Sequence, residues 1–188
     1  MTNSTLKQSS KRKLLKLMAL LPWASGCSET AHADAPDSPQ KRFKGIGAVL
    51  VVDAVPGAEM EGVVIYDDRG YEIYVSAIVS RKVRKIMALG GIYVPLTARA
   101  VWRKGAGWDK VREVWNEGVI VGNYTIPVAE RIPDEVLHDI HAHGGGLRLK
   151  FRLTPNGVLF GWDIERSAPL GDVSIFEMPG GDFLETRY

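Results

Sequence analysis

One cysteine, Cys27, stands in a chain of 188 residues. It leaves no internal disulfide framework and no Cys-rich zinc or iron–sulfur module. Charge of one sign is not in excess: 24 Lys and Arg face 22 Asp and Glu, a formal net charge of +2, too little to make nucleic acid the main partner. No heptads, internal repeats or spanning-length apolar runs occur, which excludes coiled-coil and multi-span membrane architectures. No Gly-x-Ser-x-Gly elbow is present. Gly144-Gly145-Gly146 follows a predicted helix and precedes a strand, the reverse of a phosphate cradle. The carboxylate pairs Asp67/Asp68 and Glu113/Glu117 fall in a predicted turn and on polar sites. Nothing in the sequence reads as an enzyme.

The N-terminus is more informative. Residues 1–26 carry Lys7, Lys11, Arg12, Lys13 and Lys16 and no acid; removing these five from 24 leaves 19 cations against 22 anions, so the rest of the chain is formally −3. A basic opening followed by the mostly apolar stretch 14–24 has the form of a bacterial export signal. It is shorter than the roughly 20 residues of a spanning helix. Ala24-Ser25-Gly26-Cys27 resembles the lipobox of bacterial lipoproteins, although Ala24 stands where that family usually has Leu. The resemblance implies that Cys27 is lipidated and becomes the mature N-terminus. Its three acyl chains would tether the protein stably, where a single chain binds only marginally. Ala31-His32-Ala33 before Asp34 is a second, small-x-small cleavage signal; its use would release a soluble periplasmic protein. Residues 27–40 then read as a polar tether, whose stretch from Ser28 to Gln40 extends at most about 45 Å.

From residue 41 to 188 the pattern is that of one strand-rich domain, without a second linker. Residues 46–55 read as a buried strand ended by Pro56-Gly57. Residues 62–66 and 71–78 form a hairpin about Asp67-Asp68-Arg69-Gly70. In 97–104, Ala98, Ala100 and Trp102 share one face, and 112–128 supplies one or two further strands. The strongest local signal is a second hairpin. Leu147, Leu149, Phe151 and Leu153 alternate with Arg148, Lys150 and Arg152, giving one buried and one cationic, outward face. After Thr154-Pro155-Asn156-Gly157, residues Val158, Phe160, Trp162 and Ile164 alternate in turn. A two-residue Asn156-Gly157 loop would set Phe151 opposite Trp162 and Arg148 opposite Glu165; a longer loop keeps the faces and shifts the partners. One helix near 133–143 starts at Pro133, carries Asp134 and Glu135 in its first turn, and ends at the glycines. These elements predict a mainly β, β-sandwich-like antiparallel α+β domain.

Two groups of residues stand out as candidate sites. His138, His141 and His143 hold every histidine of the domain, and with Asp134 could approach a divalent metal; the alternative is solvated helix surface, where a C-terminal dipole favours histidine. Trp108, in the glycine-rich loop Lys104-Gly105-Ala106-Gly107-Trp108-Asp109, is the candidate exposed anchor for a protein partner. The basic run 81–85 reads as a solvated face. No cofactor is implied.

Signal, Cys27, tether and β-rich domain together are similar in layout to the immunity lipoproteins that accompany type VI secretion effectors. The resemblance implies an envelope-anchored, periplasm-facing protein that neutralises a secreted toxin by occlusion, with one protein partner and no nucleic acid. It carries no motif from which contact residues transfer. A metal-binding envelope protein using His138, His141 and His143, and a structural envelope lipoprotein, are the alternatives.

Overall fold

β-Branched runs broken by Gly and Pro become strands, and their alternation sorts them into two layers. The computed structural model describes residues 39–81, 85–88, 94–168 and 171–184. Cys27, the export signal, nearly all of the tether and residues 82–84 of the basic run lie outside the described residues. A first sheet is made of β1 (Ala48–Ala54), β4 (Lys85–Ala88), β9 (Gly146–Thr154), β10 (Gly157–Ala168) and β11 (Gly171–Gly181), in the order β11-β10-β9-β1-β4. A second is made of β2 (Glu59–Tyr66), β3 (Glu72–Ser80), β5 (Ala98–Lys104) and β8 (Val119–Ile126), in the order β3-β2-β5-β8. Short strands β6 (Gly107–Asp109) and β7 (Val114–Asn116) pair only with each other, at the tip of the β5–β8 hairpin.

The domain is mainly β and sandwich-like, as the alternation predicts. Its core lies between the sheets: Leu50, Val52, Leu149, Phe151, Phe160 and Ile164 from the first meet Val63, Ile65, Tyr74, Ala100 and Trp102 from the second. The second sheet is antiparallel throughout. In the first, β1 and β9 run parallel, Val52 opposite Phe151, the one described exception to an antiparallel domain. Trp102 occupies the core because Gly122 faces it across the β5–β8 ladder: a Cβ there would stand 2.0 Å from the indole. The ring stacks on Tyr124 with centroids 5.3 Å apart.

Helix α2 (Asp134–His143) follows a single turn, α1 (Val128–Arg131). Pro133, which the sequence suggested as the first helical position, is instead its N-cap, with extended backbone. Val136, Leu137 and Ile140 bury its apolar stripe in the core, and Gly144 closes it by donating its N–H to the Ile140 carbonyl.

The β9–β10 hairpin keeps the predicted faces but not the two-residue Asn156-Gly157 loop. Thr154 pairs with Gly157, so Pro155-Asn156 is the turn and every partner shifts by two: Phe151 meets Phe160, and Arg148 meets Asp163. The reason is Pro155, which has no N–H for a ladder and a φ suited to the first central position of a turn. The Thr154 hydroxyl secures that turn, accepting from Asn156 N–H at 3.3 Å and donating to the Gly157 carbonyl at 3.1 Å.

Candidate functional site

The outer side of the second sheet is open and carries apolar side chains among charged ones, Arg99 and Arg103 of β5 included. Register and burial put Val64 and Tyr66 of β2, Val75 and Ile78 of β3, and Ile120 and Val121 of β8 on it. Val75, Ile78, Ile120 and Val121 are 41–50% exposed. A groove of about 460 Å³ runs across this side, lined by Val64, Tyr66, Val75, Ala77, Arg103 and Glu117 among others. Strand β8 is an edge of the sheet, and its sequence, Val-Ile-Val-Gly-Asn-Tyr-Thr-Ile, contains none of the Lys or Pro residues that commonly guard such edges.

From the same end rises the β6–β7 hairpin, and side chains fix both its root and its tip. Glu61 accepts the Gly105 N–H at 3.0 Å, and Arg103 lies 3.5 Å from Glu117 across the base. At the tip the Asp109 carboxylate accepts from the Val111 and Arg112 N–H groups at 2.9 and 3.1 Å, turning the chain. Trp108 sits in β6 opposite Trp115 and is 57% exposed; Val111 and Val114 are also open to solvent. The structure thus places the sequence-derived anchor on a protruding, tied-down hairpin. Val75, Ile78, Ile120 and Val121 extend its surface and were not singled out from the sequence. In the sequence Ile120 and Val121 belong only to the one or two strands expected within 112–128, and Val75 and Ile78 to the hairpin strand 71–78.

The outer side of the first sheet is the opposite case, and corrects the expectation that its cationic face points to water. Arg148, Lys150 and Arg152 of β9, Asp163 of β10 and Asp53 of β1 are all buried. Two aromatic rings roof them. Phe176 of β11 lies 4.3 Å from the Arg148 guanidinium, and Phe183, just after β11, lies 4.3 Å from that of Arg152 and 5.2 Å from the Lys150 amine. Gly161 makes room for this roof, since a Cβ there would press on the Phe183 carbonyl at 3.0 Å.

Beneath the roof the charges pair. Arg152 donates to both Asp53 oxygens at 2.9 Å, and Arg81 donates to one of them at 2.9 Å. Arg81, expected on a solvated run, is therefore tied to the interior. Lys150 Nζ lies 3.0 Å from Asp163 Oδ2, and Arg148 stands 3.8 Å from the same oxygen. Burial pushes the Asp163 carboxyl up and the Lys150 amine down, each resisted by the opposite charge of the other.

The histidines are exposed along α2. Among the described residues no group of three or more His, Cys, Asp or Glu is placed to hold a metal ion. Asp134 is instead engaged by Arg42 at 2.6 Å, and His143 Nδ1 lies 2.8 Å from Asp139. Asp139 also accepts from Arg166, which with His143 holds its carboxyl below the ordinary value. Among the described residues no helix is long and apolar enough to cross a membrane. No family model matches this chain, and no characterised protein or solved structure is detectably similar to it.

Proposed function

We propose that this chain is a binding protein of the bacterial envelope, facing the periplasm, that neutralises a secreted toxin by covering it with the β6–β7 hairpin and the open side of the second sheet. One observation carries the reading: the exposed large apolar side chains Trp108, Val111, Val114, Ile120 and Val121 fall on and beside one anchored hairpin, whereas the charged side of the other sheet is closed. Clustered exposed apolar side chains of this kind mark interaction sites, and an aromatic anchor is the commonest carrier of binding energy in them. A projecting hairpin is a shape that enters a cleft, as occlusion of an enzyme requires. The basic N-terminus and the Cys27 signal supply the address, with a lipid on Cys27 or, after cleavage before Asp34, a soluble periplasmic form. No specific observation favours the metal-binding or purely structural alternatives.

The test is protection. Products of genes neighbouring this one are directed to the periplasm of a sensitive host, with and without the full-length chain. Growth restored by the wild type and lost with Trp108→Ala or Val121→Lys supports the reading. No protection against any neighbouring product, or equal protection by both variants, overturns it.

A further inference from the structure

Lys150 and Asp163 are the most deeply enclosed ionisable pair among the described residues, each with a fully buried side chain. Nζ and Oδ2 are 3.0 Å apart, yet neither the amine nor either carboxylate oxygen has a hydrogen-bond partner in acceptable geometry. Three buried, unsatisfied polar atoms in one contact are rare in folded proteins and require an explanation. An ion pair in such a place gains little, because desolvating both charges offsets their attraction unless hydrogen bonds complete the site. Burial favours the uncharged form of each group, and Arg148 and Arg152 oppose a positive charge on Lys150.

We propose that Lys150 and Asp163 are joined by an intramolecular amide that cross-links β9 to β10. The neutral amine attacks the carboxyl carbon of the protonated Asp163, a C–N bond forms, and the carboxyl oxygen gathers negative charge in a tetrahedral intermediate. The Arg148 guanidinium, 3.8 Å from Oδ2 and nearly fully buried, faces that charge. The C–O bond to the hydroxyl then breaks, the nitrogen gives up its proton to the departing hydroxide, and water leaves. Nothing is oxidised or reduced, and no co-reactant is needed. The product replaces two buried ionisable groups with one neutral amide, whose carbonyl has Arg148 as a nearby donor. The proposal is independent of the binding function.

Mass spectrometry of the full-length chain decides it. The denatured wild type is expected one water lighter than its sequence, whereas Asp163→Ala and Lys150→Arg have their full sequence masses. Trypsin, cutting after Arg148, Arg152 and Arg166, then yields residues 149–152 joined to residues 153–166 as a branched product with two amino termini. A linear peptide 149–166 with two missed cleavages, after Lys150 and Arg152, has the same mass but a single amino terminus, so labelling selective for α-amines separates the two. A wild type at full mass overturns the proposal, as does a water loss that fragmentation places anywhere but Lys150 and Asp163. Should the variants fail to fold, the wild-type digest still gives the answer.

Discussion

On the outer side of the first sheet Arg148, Lys150 and Arg152 are 3%, 0% and 7% exposed; on the outer side of the second, Ile120 and Val121 are each 50% exposed. Polarity alone would reverse these numbers. The charged side is closed because Phe176 and Phe183 lie on it, and because Asp53 pairs with both Arg81 and Arg152. The apolar side stays open because no described element crosses it. An enclosed polar layer resists rearrangement, since each member is bound to the others' geometry. Under the proposed function, the first sheet is the rigid half of the domain and the open side of the second is the half that meets the partner.

The contrast is broken most severely at Asp53. Replacing it with Ala leaves the Arg152 guanidinium, 8% exposed, and Arg81 without the carboxylate they share. Stranding a buried charge in this way costs about 3–5 kcal/mol. Urea unfolding of Asp53→Ala should show a loss of that size; a loss within about 0.5 kcal/mol, the range of ordinary surface changes, would mean that water already reaches this layer. Phe183→Ala opens the roof without touching a charge. The ring is only partly buried, so roughly half the cost of a core Phe deletion, about 2 kcal/mol, is expected, together with faster amide hydrogen exchange along β9. Unchanged exchange would show that the ring does not close the layer.

On the other side of the comparison the expected stability effects vanish and the binding effects appear. Val121→Lys and Ile120→Lys replace side chains already half in water, and should alter unfolding by no more than about 0.5 kcal/mol. Under the proposed function, Trp108→Ala should weaken affinity for the toxin by about 2 kcal/mol or more, roughly 30-fold. If the lysine variants unfold the domain instead, the open side is part of the core and the division into two halves fails.

Much of this arrangement was legible in the sequence, and what was missed has a common cause. Alternation correctly told which residues share a face: Leu149, Phe151 and Leu153 inside, Arg148, Lys150 and Arg152 together on the other side. It could not tell whether that other side is covered, because the covering residues Phe176 and Phe183 lie a whole strand further along the chain. The parallel pairing of β1 with β9, about a hundred positions apart, escaped for the same reason. Hairpin register turned on a single residue, Pro155, whose missing N–H outranked the attraction of Asn-Gly as a turn pair. Trp108 was legible because glycines crowd its loop, but the β6–β7 pairing that lifts it from the sheet depends on Asp109 and Glu61 bonding to backbone, which composition does not announce.

The smallest effect concerns the segment that carries the roof. Asp182 ties it down: its N–H donates to the Phe160 carbonyl, its carboxylate accepts the Phe160 N–H at 2.8 Å, and Arg131 grips both carboxylate oxygens at 2.7 and 3.0 Å. Arg131 foremost, helped by the Phe160 N–H, holds the Asp182 carboxyl below its ordinary value against desolvation. A carboxyl with a depressed folded-state pKa stabilises the fold above its unfolded pKa, and loses that contribution as the pH falls through the folded one. Asp182→Asn keeps an acceptor for Phe160 but gives up the charge. At neutral pH it should cost at most about 1 kcal/mol, since the pair is about one-third exposed and screened. That difference should shrink only below about pH 4, the ordinary carboxylate range. The wild type alone is the wrong readout, because the depressed carboxyl of Asp139 contributes with the same sign. The difference between wild type and variant isolates Asp182. A difference that holds constant down to pH 2 would assign the effect to packing, and leave the roof held by Phe183 alone.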